Sequence, residues 1–139
     1  MFLALALVAA RPWQPRGEAA LATLATPRGV TLVEQRALAR EVADRLGGRR
    51  AAYLGPSEIP FLLGVSNPVP FTIWHASAHA FYARPGEASF DTLSRMLHDA
   101  GVELVVTDHG VPPARDGVFA FQETIGDPSR CAVDVWHVP

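Results

Sequence analysis

The sequence contains no lysine; its twelve basic residues are all arginine. With the abundant alanine, this reads as a bias of coding composition, and the scattered arginines read as a solvated surface. Without lysine, a G-x-x-x-x-G-K-[ST] phosphate loop is impossible, and no G-x-G-x-x-G stretch takes its place. An excess of positive charge is also missing. The formal net charge is -2 at pH 7, which argues against a nucleic-acid partner. Cys131 is the single cysteine, so no internal disulfide can form. Placed in an apolar final segment, it reads as a small buried hydrophobe. No apolar run reaches the roughly twenty residues needed to span a bilayer. The stretch Met1–Ala10 is wholly apolar but only ten residues long, and no basic region precedes it as in a secretory leader.

What is present suits one domain. The chain has 139 residues, 49% of them hydrophobic, enough to build a core without disulfides or a metal. Arg11, Trp13 and Arg16 follow the apolar start in the manner of interface anchors. We therefore expect residues 1–15 to be the end of a truncated transmembrane helix, with an uncleaved or mis-started leader as the alternative. Residues 16–30, broken by Gly17, Pro27 and Gly29, read as a juxtamembrane linker. Residues 31–139 read as a soluble α/β domain. By the positive-inside rule Arg11, Arg16 and Arg28 would put that domain in the cytoplasm.

Within the domain, Thr31 to Leu46 carries the strongest helix signal. Thr31 and Glu34 fit a capping box, Leu38, Val42 and Leu46 recur every four residues, and Gly47-Gly48 ends the run. Ala51–Leu54 reads as a short buried strand stopped by Gly55-Pro56. Ser57 to Leu63 reads as a short helix capped by Ser57. Ser66 to Phe71 holds two prolines and reads as a stiff loop. Phe71 to Tyr82 is aromatic-rich and fits either strand or helix. Ser89 to Ala100 is a second amphipathic helix closed by Gly101, and Val102 to Thr107 a strand covered on both faces. Val118 to Ile125 and Cys131 to Val138 follow as two strands around Gly126-Asp127-Pro128-Ser129. In the last strand Val133, Val135 and Val138 read as facing inward, with Asp134 and His137 outward. The expected fold is a small α/β sandwich: a mixed sheet of about four strands, the first two parallel, the last two an antiparallel hairpin, flanked by helices.

In an open α/β sheet, ligands favour the crevice at the carboxyl ends of the strands. Two such ends are Gly55-Pro56-Ser57-Glu58 and Asp108-His109. If the strands are neighbours, Ser57, Glu58, Asp108 and His109 come within reach of one another. A serine, a histidine and carboxylates suggest nucleophilic catalysis. Against it, no G-x-S-x-G elbow surrounds Ser57, adjacent Asp108 and His109 point differently, and helix capping by Ser57 with loop hydrogen bonding by Asp108 explains the same residues. His75 and His79 are four apart and would share a helix face, but zinc needs a third ligand, so no metal and no cofactor is expected. Phe71, Trp74, Phe81 and Tyr82 either pack a second layer or contact lipid or sugar.

Tyr53-Leu54-Gly55, Glu58, Phe61-Leu62-Leu63 and Asn67-Pro68-Val69-Pro70-Phe71, followed by Val105-Val106-Thr107-Asp108, resemble a pattern in the C-terminal soluble domains of bacterial GT-C superfamily membrane glycosyltransferases, which are similar to dolichyl-phosphate-mannose-protein mannosyltransferases. The resemblance covers about residues 31 to 110. It implies a multi-pass enzyme that moves a sugar from a polyprenyl-phosphate donor on the extracytoplasmic side. The family's acidic catalytic residue lies in an early loop between transmembrane helices, a region this chain lacks, so the resemblance implies an accessory domain with no catalytic residue of its own. Its implied partners are the membrane, through the N-terminal apolar segment, the missing upstream transmembrane domain and a lipid-linked sugar. On this reading, a groove between Glu58, Asn67, Trp74 and Asp108 would bind ligand, with Glu58 accepting hydrogen bonds and Trp74 stacking on a sugar face. A stand-alone membrane-anchored or secreted binding module is the alternative, and a small hydrolase using Ser57 and His109 the third.

Overall fold

The computed structural model describes residues 29–55, 58–74, 76–114 and 119–139. The apolar start, the linker as far as Arg28, Ser57 and His75 lie outside the described residues. Among the described residues no helix is long and apolar enough to cross a membrane.

Helix α1 spans Leu32–Leu46. Its first turn is closed by the expected capping box: Thr31 N–H donates to Glu34 Oε2 at 2.8 Å, and Glu34 N–H donates to Thr31 Oγ1 at 3.2 Å. Each side chain thus satisfies a backbone donor that the helix leaves without a partner. At the other end Gly47 takes the left-handed conformation, φ 58°, and its N–H returns to the Ala43 carbonyl. Strand β1 (Ala51–Leu54), helices α2 (Glu58–Leu63), α3 (Ala76–Tyr82) and α4 (Ser89–Asp99), and strands β2 (Leu104–Asp108), β3 (Ala120–Asp127) and β4 (Cys131–His137) follow. The Phe71–Tyr82 segment is thus irregular over Phe71–Trp74 and helical over Ala76–Tyr82.

The four strands form one sheet in the order β1-β2-β4-β3. β1 and β2 are parallel, with Leu54 beside Thr107. β4 runs antiparallel to both β2 and β3. The fold is therefore an α/β sandwich with a mixed four-stranded sheet, and helices cover both faces. On one face Leu38, Val42 and Leu46 of α1 and Ile59 of α2 pack on Tyr53, Leu104, Val106, Ile125, Val133 and Val135. On the other, Leu93 and Leu97 of α4 pack on Ala52, Leu54 and Val105, with Val69 and Phe119 beside them. Burying each large aliphatic side chain contributes about 1.5–3 kcal/mol, so both layers are needed to offset the chain entropy of so small a domain.

Three details shape the region around the carboxyl ends of β1 and β2. The first is the side chain of Asn67, which acts as a one-residue partner for the outer edge of β1. Tyr53 N–H donates to Asn67 Oδ1 at 3.1 Å, while Asn67 Nδ2 donates to the carbonyls of Tyr53 and Phe71, both at 3.0 Å. Pro68 and Pro70 lack the N–H groups that a true neighbouring strand would supply, and the amide takes over that role on an edge that would otherwise stay unpaired. The second is a register shift in β3 between Phe121 and Glu123. It lets Phe121 pair with Trp136 and Thr124 pair with Asp134 on the same face, which strict alternation would forbid.

The third detail corrects the expected last strand. Asp134 is not outward: it is 4% exposed, opposite Thr107 of β2 and Thr124 of β3. β4 is an inner strand with both faces covered, so alternation there separates two buried layers rather than core from solvent. Val138 follows the strand on the α4 face, and its N–H donates to the Glu103 carbonyl at 3.1 Å. His137 pairs with Leu104 at the exposed end of the strand.

Candidate functional site

Because β1 and β2 are parallel neighbours, the turns that follow them open at the same edge of the sheet. Gly55 leaves β1 with φ 117°, and a Cβ built on it would lie 3.0 Å from Asp108 Oδ2. Only glycine tolerates both that backbone and that approach, so the Asp108 carboxylate lies directly against the β1 turn. The start of β4 reaches the same edge because that strand runs the opposite way.

Between these ends and α1 lies a cavity of about 760 Å³, within the roughly 300–1,000 Å³ common for small-molecule clefts. Gly55, Glu58 and Ile59 form one side of it, and Asp108, His109 and Val111 another. Val30, Gln35 and Leu38 come from α1 and the residues before it, and Pro128 with Arg130 to Val133 come from the β3–β4 hairpin. Arg130 is already paired, its Nη2 lying 2.8 Å from Glu34 Oε1.

The most constrained polar group at this edge is Asp134. Its Oδ1 accepts from Thr124 Oγ1 at 2.7 Å and sits 2.9 Å from His109 Nδ1, while its Oδ2 accepts from Gly110 N–H at 2.8 Å. Burial pushes the Asp134 pKa up, but the bonds from His109, Gly110 and Thr124 outweigh it and hold the carboxyl below its ordinary value. An ionised carboxylate only accepts, so Nδ1 of a neutral His109 ring carries the proton and Nε2 presents a lone pair. The arrangement is a histidine oriented by a buried carboxylate, with its ring half-exposed at the cavity wall.

Glu58 and Asp108, expected to share a groove, both line this cavity. Asn67 and Trp74 do not. Asn67 is committed to the backbone of β1 and Phe71. Trp74 lies against the second core, its Nε1 donating to Ser89 Oγ at 3.1 Å and its ring 5.0 Å from that of Phe71. The chain crosses to the α4 face after α2 and carries both residues away from the crevice. Phe71 and Trp74 pack the second layer, whereas Phe81 is exposed. His79 Nε2 is 3.0 Å from the Glu87 carbonyl. Among the described residues no group of three or more His, Cys, Asp or Glu could hold a metal ion. Asp108 is not the partner of His109; Asp134 is, and the sequence reading missed it. The available signal was a lone carboxylate among valines in a strand flanked by two others.

Compared with family models, with curated proteins and with solved structures, the chain matches none.

Proposed function

We propose that this chain is the extracytoplasmic C-terminal accessory domain of a membrane glycosyltransferase that uses a polyprenyl-phosphate sugar, and that its cavity binds part of a substrate. The observation that carries the reading is that Gly55, Glu58 and Asp108, three residues of the resemblance, border one cavity at the carboxyl edge of the sheet. Asn67 of the same pattern fixes the strand that positions them. The His109–Asp134 pair supplies an oriented polar group there. The transfer chemistry belongs to the membrane part of the enzyme.

A C-terminal epitope tag at the native locus tests this. The expected product is far larger than the 15.0 kDa of this chain, stays in the membrane after a carbonate wash, and exposes its tag to protease on the extracytoplasmic side. A tagged product of that small mass would overturn the reading and leave a stand-alone binding module built on the same cavity.

A further inference from the structure

We infer that the cavity at the carboxyl edge of the sheet binds an uncharged, hydroxyl-bearing molecule of one or two sugar rings, with His109 Nε2 and the Glu58 carboxylate as its hydrogen-bond acceptors. This deepens the proposed function and rests on its assignment of the cavity to ligand binding.

The polar groups of the wall are mostly acceptors. His109 Nδ1 is engaged by Asp134, so Nε2 offers a lone pair and no proton in the neutral ring. Glu58 offers a carboxylate from the first turn of α2. Asp108 adds a second negative charge to the same wall. The matching occupant presents several O–H donors. An anion is disfavoured by the two carboxylates, because the lining arginine, Arg130, is already neutralised by Glu34 at 2.8 Å. A wholly apolar occupant would strip water from Glu58 and His109 without replacing its hydrogen bonds. Leu38, Ile59 and Val133 are core side chains at the floor of the cavity, and the exposed apolar side chain beside these acceptors is Val111. A sugar ring matches both, its C–H face against Val111 and its hydroxyls toward His109 and Glu58.

The test uses the full chain in a neutral detergent with ¹⁵N-labelled histidine. The probes are methyl α-D-mannopyranoside, methyl β-D-glucopyranoside, N-acetylglucosamine and maltose, with mannose 1-phosphate and spermidine as charged counterparts. At least one neutral sugar should shift the His109 Nε2 resonance saturably while Nδ1 stays in place. Glu58→Gln, a change at an exposed position, should weaken that sugar about tenfold or more, the range for a hydrogen bond to a charged group. Three outcomes would overturn the inference: no saturable shift with any neutral sugar, tighter binding of mannose 1-phosphate or spermidine, or unchanged affinity in Glu58→Gln. A large membrane-bound product whose cavity ignores sugars removes this inference and leaves the proposed function. A small product that binds them does the reverse.

Discussion

Asp134 and His109 stand twenty-five residues apart in the chain and 2.9 Å apart in the fold. Two elements make that contact. The antiparallel register of β2 and β4 sets Asp134 opposite Thr107, and the turn after β2 brings His109 and the Gly110 N–H over the carboxylate. The pair therefore reports on the tertiary fold and on the cavity wall together.

Asp134→Asn should destabilise the domain by roughly 2–3 kcal/mol, since it weakens bonds to a charged acceptor and leaves an amide N–H facing donors. Urea unfolding of both proteins measures the difference. Its pH dependence has a defined sign. The folded carboxyl titrates below its ordinary value of 3.8, so the aspartate's advantage is fully present above that value and fades as pH falls through the folded pKa. A gap between wild type and variant that stayed constant down to strongly acid pH would contradict this account.

Gly126 should be irreplaceable in a way Gly86 is not. Both have positive φ, 93° and 79°. A Cβ on Gly126 would collide with the Cys131 carbonyl and would lie 2.8 Å from Leu38 Cδ1, whereas nothing lies within 4 Å of one on Gly86. Gly86→Ala should cost only the backbone term, about 1 kcal/mol, and Gly126→Ala distinctly more, on the order of 3 kcal/mol, because the sheet and α1 must separate. Thermal melting of the two variants side by side decides it; equal shifts would show that the hairpin yields easily.

The fold was legible wherever the signal was local. The Thr31–Glu34 box, Gly47 and the Leu38–Val42–Leu46 row mark α1 within a few residues of sequence. The Gly126 to Ser129 breaker marks the hairpin. The carboxyl-end crevice followed from the parallel pair, and it brought Glu58, Asp108 and His109 to one cavity. What stayed hidden depends on non-local pairing. Whether Asp134 points to solvent or to a second buried layer is decided by which strands flank β4, and the bulge at Phe121–Glu123 resets the faces of β3. The resemblance groups Asn67 and Trp74 with Glu58 in one groove, but the chain changes face between them.

Asn67 should prove a structural residue of the β1 edge. Asn67→Ala removes three hydrogen bonds and should cost about 2–4 kcal/mol at roughly 1 kcal/mol each plus the stranded backbone groups. Asn67→Asp keeps an acceptor for Tyr53 N–H but turns a negative oxygen toward the carbonyls of Tyr53 and Phe71, so it should rescue little. Hydrogen exchange at the Tyr53 amide is the direct measurement: it should quicken strongly in Asn67→Ala. Unchanged protection there would mean that the amide contributes nothing to the edge.

The clamp between Glu87, in the turn before α4, and Arg95 of α4 positions the Arg95 guanidinium on the end of α3 and should confer its own acid sensitivity. Arg95 Nε donates to Glu87 Oε1 at 2.8 Å, and its Nη2 donates to Glu87 Oε2 and to the Tyr82 carbonyl, both at 3.0 Å. Helix α3 has no buried residue, so it depends on surface ties such as this one, the contact of His79 Nε2 with the Glu87 carbonyl and the aromatic contacts of Tyr82 with Phe71. The hydrogen bond from Arg95, aided by the Arg84 N–H, lowers the Glu87 pKa to about 2 from its usual 4.5. The carboxylate therefore stabilises the folded state fully above pH 4.5 and loses that effect as pH falls toward 2. Replacing it by Glu87→Gln should speed amide exchange in α3 at neutral pH while leaving α1 and the sheet unaffected, and the difference from wild type should close as pH approaches 2. If α3 exchanges at the same rate in both proteins at pH 7, the ion pair does not hold that helix.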